Sequence, residues 1–221
     1  MGKQFNKNIT TVLFDFDGVI ADTETGRYAL FTDVLAAKGI DFKSRVAITQ
    51  MQGLTGRAMI ERYFPEIPPL EVKEIVERRQ GMYMSNLDKY CKPYPGAADT
   101  IRALKSKGYY IVSVTANTTE AAKILLKHVG VMDYFDKVLG VEYCENKDTG
   151  KKDYGLVSGI INKPVPECVV IEDSLVGVKG AVGSGYYTIA FDRFPGSGLE
   201  KHADRIIYTY NELNSIFGLE V

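Results

Sequence analysis

The run Thr10-Thr11-Val12-Leu13-Phe14-Asp15-Phe16-Asp17-Gly18-Val19 decides the fold. Its first half is short, apolar and β-branched, which predicts a buried strand. Its second half places two carboxylates two residues apart at that strand's end. Apolar runs of the same kind recur at residues 109–114 and 168–171. Continuous runs like these suit a parallel sheet covered on both faces. Helical patterns fall between them: Ala122, Leu125, Leu126 and Val129 keep i, i+3, i+4, i+7 spacing, as do Val178, Ala181, Val182 and Gly185. From Ala97 onward the order is helix, strand, helix, strand. The predicted fold class is α/β, a doubly wound parallel sheet.

Residues 22–92 break the alternation. They hold no convincing strand but carry helical stripes, Tyr28, Phe31, Val34 and Leu35, then Val72, Ile75 and Val76. The segment closes at Pro93 and Pro95-Gly96, a natural turn. This predicts an α/β core of residues 1–21 and 93–221 and a helical domain inserted at 22–92. The insertion begins at the carboxyl end of the first strand, where open α/β sheets bind ligands. A helical domain there can act as a cap that excludes water and selects the substrate.

The 221 residues are 45% apolar, enough to bury a core. A net charge of -1 offers no basic field for nucleic acid or for a membrane surface. No apolar run is long enough to span a bilayer, and the polar N-terminus does not read as a signal peptide. Three cysteines without metal-like spacing fit reduced thiols and a cytoplasmic protein. The 14 tyrosines lack the basic interleaving of a base-stacking platform. His128 and His202 sit in no motif.

Asp15 and Asp17 repel each other, and burial penalises both charges. A divalent cation would relieve this, and Mg2+ favours hard oxygen ligands. Gly18 lets the backbone turn sharply and approach a ligand closely. An Asx turn between strand and helix is the plain alternative.

The string DFDGVIADTE, Asp15 to Glu24, resembles the haloacid dehalogenase superfamily, in particular its phosphatase and β-phosphoglucomutase-like branch with a helical cap. The resemblance implies that Asp15 attacks phosphorus and that Asp17 is the general acid and base. Val112-Ser113-Val114-Thr115-Ala116-Asn117 is similar to the family's second motif. It implies that Thr115 binds the transferring phosphoryl group, with Ala116 and Asn117 as helpers before a helix N-terminus. Taken alone, Thr115 is an ordinary strand residue and Asn117 a helix cap. The third motif is a lysine after glycine. Lys151 follows Gly150 and takes the role first, with Lys152 second. Glu172-Asp173-Ser174, followed by Gly177 and Ala181, is similar to the fourth motif. It implies that Asp173 completes a Mg2+ site with Asp15 and the Asp17 carbonyl, and that Glu172 supports it as a ligand or by orienting the lysine. Small residues at 177, 180, 181 and 183 would let that helix approach the sheet.

The resemblance implies a Mg2+-dependent phosphatase acting on a small phosphorylated metabolite. The runner-up is a sugar phosphomutase. Such mutases carry a His three residues after the motif's Glu and an Arg three residues after the lid-loop Gly. Here Arg27 stands at the first position, and Gly53-Leu54-Thr55-Gly56 puts the arginine one step late, at Arg57. Either arginine could meet a substrate anion, Arg57 being the substrate-binding candidate. A true dehalogenase would need neither Asp17 nor Asp173, and a regulatory protein on a dead scaffold would be expected to lack one of these acids.

Overall fold

All four residues of strand β1 (Thr11–Phe14) are buried, because the strand lies inside a six-stranded parallel sheet. The computed structural model describes residue 5 and residues 8–51, 54–146, 151–194 and 196–221, apart from the side chains of residues 144–146 and 151. The other strands are β2 (Tyr110–Val114), β3 (Lys137–Leu139), β4 (Cys168–Glu172), β5 (Tyr187–Phe191) and β6 (Arg205–Ile207). Their order across the sheet is β6-β5-β4-β1-β2-β3. The order reverses beside β1, and that switch point opens a crevice at the carboxyl ends of the strands. Phe14 is level with Ser113 on β2 and with Ile171 on β4. Asp15, Thr115 and Glu172-Asp173 therefore leave the sheet at one edge.

The chain forms two compact units, Met1–Ala21 with Pro93–Val221, and Asp22–Lys92. In the first, one cluster packs Leu13, Val112, Val170 and Ala181 with Val157 and Tyr186. Each fully buried aliphatic side chain of this kind contributes about 1.5–3 kcal/mol. Sequence analysis misses β3 and β6, three residues each, and β5, whose apolar run holds Thr188.

The second unit holds α1 (Thr23–Ala36), α2 (Gly56–Tyr63), α3 (Pro69–Ser85) and α4 (Leu87–Tyr90). Asp22 caps α1 by accepting from the Thr25 amide, and Thr55 caps α2 by accepting from the Ala58 amide. Proline at the start of α3 costs no hydrogen bond there. Phe31, Phe42 and Phe64 stack in its core, with ring centroids 5.9 and 6.0 Å apart. Gln52 and Gly53 lie outside the described residues, so the lid-loop glycine has no structural account. Two-residue ladders pair Ala21–Asp22 with Lys92–Pro93 and Glu145–Asn146 with Lys151–Lys152. Among the described residues no helix is long and apolar enough to cross a membrane.

Candidate active site

The ladder register that aligns β1 with β4 continues one residue past the strand: the Asp15 amide donates to the Ile171 carbonyl at 3.0 Å. Asp15 is thus held at the sheet edge beside Glu172. Its Oδ1 accepts from the Phe16 amide at 2.8 Å and pairs with the Lys152 ammonium at 3.0 Å.

Lys152 sits on the antiparallel ladder in which Glu145 faces Lys152 and Asn146 faces Lys151. Its ammonium also meets Glu172 Oε1 at 2.6 Å and donates to the Val114 carbonyl at 3.1 Å. An ammonium has three protons, and three acceptors surround this one. Sequence analysis puts Lys151 first. The lysine that the structure places between the two acids is Lys152, because the ladder register delivers position 152 to them. The side chain of Lys151 lies outside the described residues.

Glu172 is fully buried, and its oxygens are heavily engaged. Oε1 also accepts from the Tyr154 hydroxyl at 3.1 Å. Oε2 accepts from the Asp173 amide, the Ser174 amide and the Ser174 hydroxyl at 3.0–3.1 Å. Ser174 in turn caps the helix Leu175–Gly183 by accepting from the Gly177 amide. A side chain at Gly177 would collide with the Glu172 carboxylate. Of the expected small residues, Gly177 and buried Ala181 bring this helix close, whereas Gly183 has open space beside it.

Asp17 is tied down across 100 residues: Asn117 Nδ2 donates to its Oδ2 at 2.7 Å. Asn117 also donates from its amide and its side chain to the Thr115 hydroxyl, at 3.1 and 3.2 Å. Thr115 is fully buried. The cap of the following helix, Thr119–His128, is Thr118 and not Asn117. Ala116 is exposed in the same turn.

Asp173 meets a residue that sequence analysis does not single out. Its Oδ2 lies 2.5 Å from Arg193 Nη2. Arg193 also donates to the Tyr94 hydroxyl. Gly18 has φ +73°, and a side chain there would strike both Asp173 and Arg193, so conformation and space both demand glycine.

These acids shift one another. Burial pushes the Asp15 carboxyl well above the usual range; Lys152 pulls it down, while Glu172, Asp173 and Asp17 push it further up. Burial, then Glu172, raises Asp173 to about 7 against the pull of Arg193. Burial also works against the Glu172 charge, yet Lys152 and the Ser174 hydrogen bonds hold it below the ordinary value. Burial would lower Lys152, but Asp15 and Glu172 keep it well above a normal lysine. One donor oxygen each from Asp15, Glu172 and Asp173 lies within 4.8 Å of the others. Carboxylates so placed, carrying more negative charge than their lysine cancels, suit a hard divalent cation.

Arg57 belongs to the helical unit, where its Nε meets Glu61 at 2.7 Å on an exposed face. Arg27 spends its guanidinium on the Met51 and Leu54 carbonyls, at 2.7 and 3.0 Å, and on Glu24.

The sheet, its switch point and the helical insertion define an α/β enzyme fold of the Rossmann-like kind. The model of the haloacid dehalogenase-like hydrolase family matches residues 12–191. Probable phosphatase IndB of Dickeya dadantii is 31% identical over 177 residues, covering 77% of this chain and 69% of that one. A phosphoglycolate phosphatase of Caulobacter vibrioides is 25% identical over 182 residues, covering 80% and 77%. Protein SUPPRESSOR OF QUENCHING 1, chloroplastic, of Arabidopsis thaliana is 28% identical over 193 residues, and the chain spans 18% of its length. The crystal structure of a hydrolase of this family from Deinococcus radiodurans, with bound phosphate and sodium, superposes with a TM-score of 0.76 at 21% identity, covering 96% of each chain. The chain belongs to the haloacid dehalogenase-like hydrolase family. As an enzyme it stands with that family's phosphoric monoester hydrolases.

Proposed function

We propose that the protein is a Mg2+-dependent phosphatase of small phosphate monoesters, of the sugar-phosphate or phosphoglycolate kind, working through a phosphoryl group carried on Asp15. The observation that carries this reading is the Lys152 ammonium between Asp15 Oδ1 and Glu172 Oε1, at 3.0 and 2.6 Å, with Asp173 beside them. That arrangement fixes the nucleophile's carboxylate while leaving Oδ2 for attack. The relatives named phosphatases point the same way. A cytoplasmic location belongs to this reading, in keeping with three cysteines that lack metal-like spacing.

Asp15 and Asp173 are the proposed Mg2+ ligands, joined by the Asp17 carbonyl. Bound Mg2+ supplies positive charge that keeps Asp15 ionised and offsets charge on the phosphoryl oxygens. Asp15 Oδ2 forms a bond to phosphorus as the ester P–O bond breaks. Asp17, aimed by Asn117, gives the leaving oxygen its proton. It then takes a proton from water as that water splits the aspartyl-phosphate, returning Asp15 and releasing inorganic phosphate. Lys152 and the Thr115 turn stabilise the equatorial oxygens. With five donors on its oxygens, Glu172 serves to hold Lys152 more than to bind metal.

A phosphomutase reading gains nothing here. Arg27, at the mutases' histidine position, is committed to its own unit's carbonyls.

The test is a panel of phosphorylated metabolites with Mg2+, scored by inorganic phosphate release. At least one should turn over. Asp15→Asn should lower kcat by about 10⁴-fold or more while the far-UV circular dichroism stays unchanged. Retained turnover in that variant would remove Asp15 as nucleophile.

A further inference from the structure

Arg193 stands two residues past β5 and takes no part in the steps above. Its Nη2 lies 2.5 Å from Asp173 Oδ2, and its side chain is only 11% exposed. It stacks on two rings, 5.3 Å from the Tyr94 centroid and 5.0 Å from that of Phe194. A guanidinium keeps its charge at any ordinary pH, so this is a permanent cation placed against a cluster acid. The contact is charge-assisted and therefore strong. The same nitrogen and the same carboxylate oxygen both crowd the backbone at Gly18, next to Asp17. Arg193 thus holds an acid of the cluster on the side of the Asp17-Gly18 turn.

We propose that Arg193 is a built-in counter-cation of the metal site, which pairs Asp173 while no divalent ion is bound and yields that oxygen when one binds. This rests on the reading of Asp15 and Asp173 as Mg2+ ligands. Four acids meet here, Asp15, Asp17, Glu172 and Asp173, against two cations, Lys152 and Arg193. With all four ionised and Arg193 in place, the surplus is two negative charges, matched to one divalent ion. Without Arg193 the surplus is three, so the site attracts a cation more strongly but is strained when empty. Arg193 thus keeps the metal-free protein intact and weakens metal binding, which lets the ion exchange.

The test is Mg2+ titrated into metal-stripped protein by isothermal calorimetry, with melting followed with and without saturating Mg2+. Arg193→Met keeps an apolar stem between the two rings and removes the charge. It should bind Mg2+ about tenfold tighter than the parent chain, as expected when a nearby like charge is removed. Its melting temperature should be lower without the ion and should rise more with it, because ligand stabilisation grows as Kd falls. Arg193→Lys retains the charge and should bind within about threefold of the parent. If Arg193→Met does not melt cooperatively, Arg193→Gln replaces it with the same expectation. Equal or weaker binding by the neutral variant, with parent binding intact, overturns the role of Arg193 and leaves the Mg2+ reading standing. Binding by neither chain overturns both.

Discussion

The helical unit and the α/β unit handle charge in opposite ways. In the helical unit, ion pairs such as Lys38–Glu71, Arg57–Glu61 and Lys73–Glu77 lie at the surface. Its core is built from Phe31, Phe42, Phe64, Ile60 and Ile75. The α/β unit buries Asp15 and Glu172 and keeps Lys152 only 10% exposed. Exposed pairs contribute from nothing to about 1 kcal/mol. A buried cluster with surplus charge costs stability and persists where chemistry needs it. It is therefore the buried charge, not the surface charge, that marks a candidate site in this protein.

The sharpest way to break that contrast is Lys152→Met. It leaves Glu172 and Asp15 without their ammonium, and losing one partner of a buried pair costs about 3–5 kcal/mol. Urea denaturation of the metal-stripped protein measures this. A loss no larger than that of a surface pair would erase the distinction between the units.

One acid from each unit, Asp173 and Asp33, should respond to pH with opposite sign. The folded state raises Asp173 to about 7, so it holds a proton more tightly than the unfolded chain does. The metal-stripped protein should lose stability as pH rises from about 4 to about 7, and Asp173→Asn should flatten that decline. In the helical unit, hydrogen bonds from Lys89 and Tyr90 hold Asp33 below its ordinary value. Its contribution is present above the unfolded value and fades as pH falls through the folded one. Asp33→Asn should therefore narrow the gap between neutral and acid stability, the reverse of the Asp173 case. Melting temperatures across pH 3–8 for both variants report the two signs.

The smallest effect belongs to Lys38→Ala, which removes a partner 2.7 Å from Glu71. The expected change is under about 1 kcal/mol in the same urea experiment. A larger loss would mean that the helical unit also depends on charge.

Much of this was legible in the sequence for a simple reason. Asp15, Asp17 and Asp173 follow continuous apolar runs, and strand ends in a parallel sheet share an edge. The choice between Lys151 and Lys152 was not legible, because adjacent lysines look alike until a ladder register sets one of them against the acids. Arg193 had no local motif. It stands two residues past β5, so a reading that recognised Tyr187–Phe191 as a strand would have placed a cation at the same edge as the acids. The tie between Asn117 and Asp17 joins residues far apart in the chain, and no spacing rule encodes it.

Lys152 carries one more consequence. Acylating reagents and acetyl donors are attacked by the lone pair of a neutral amine. This nitrogen keeps its proton well beyond the usual lysine range and spends all three N–H groups on Asp15, Glu172 and the Val114 carbonyl. Modification that decorates the chain's outer lysines will pass over the one beside Asp15.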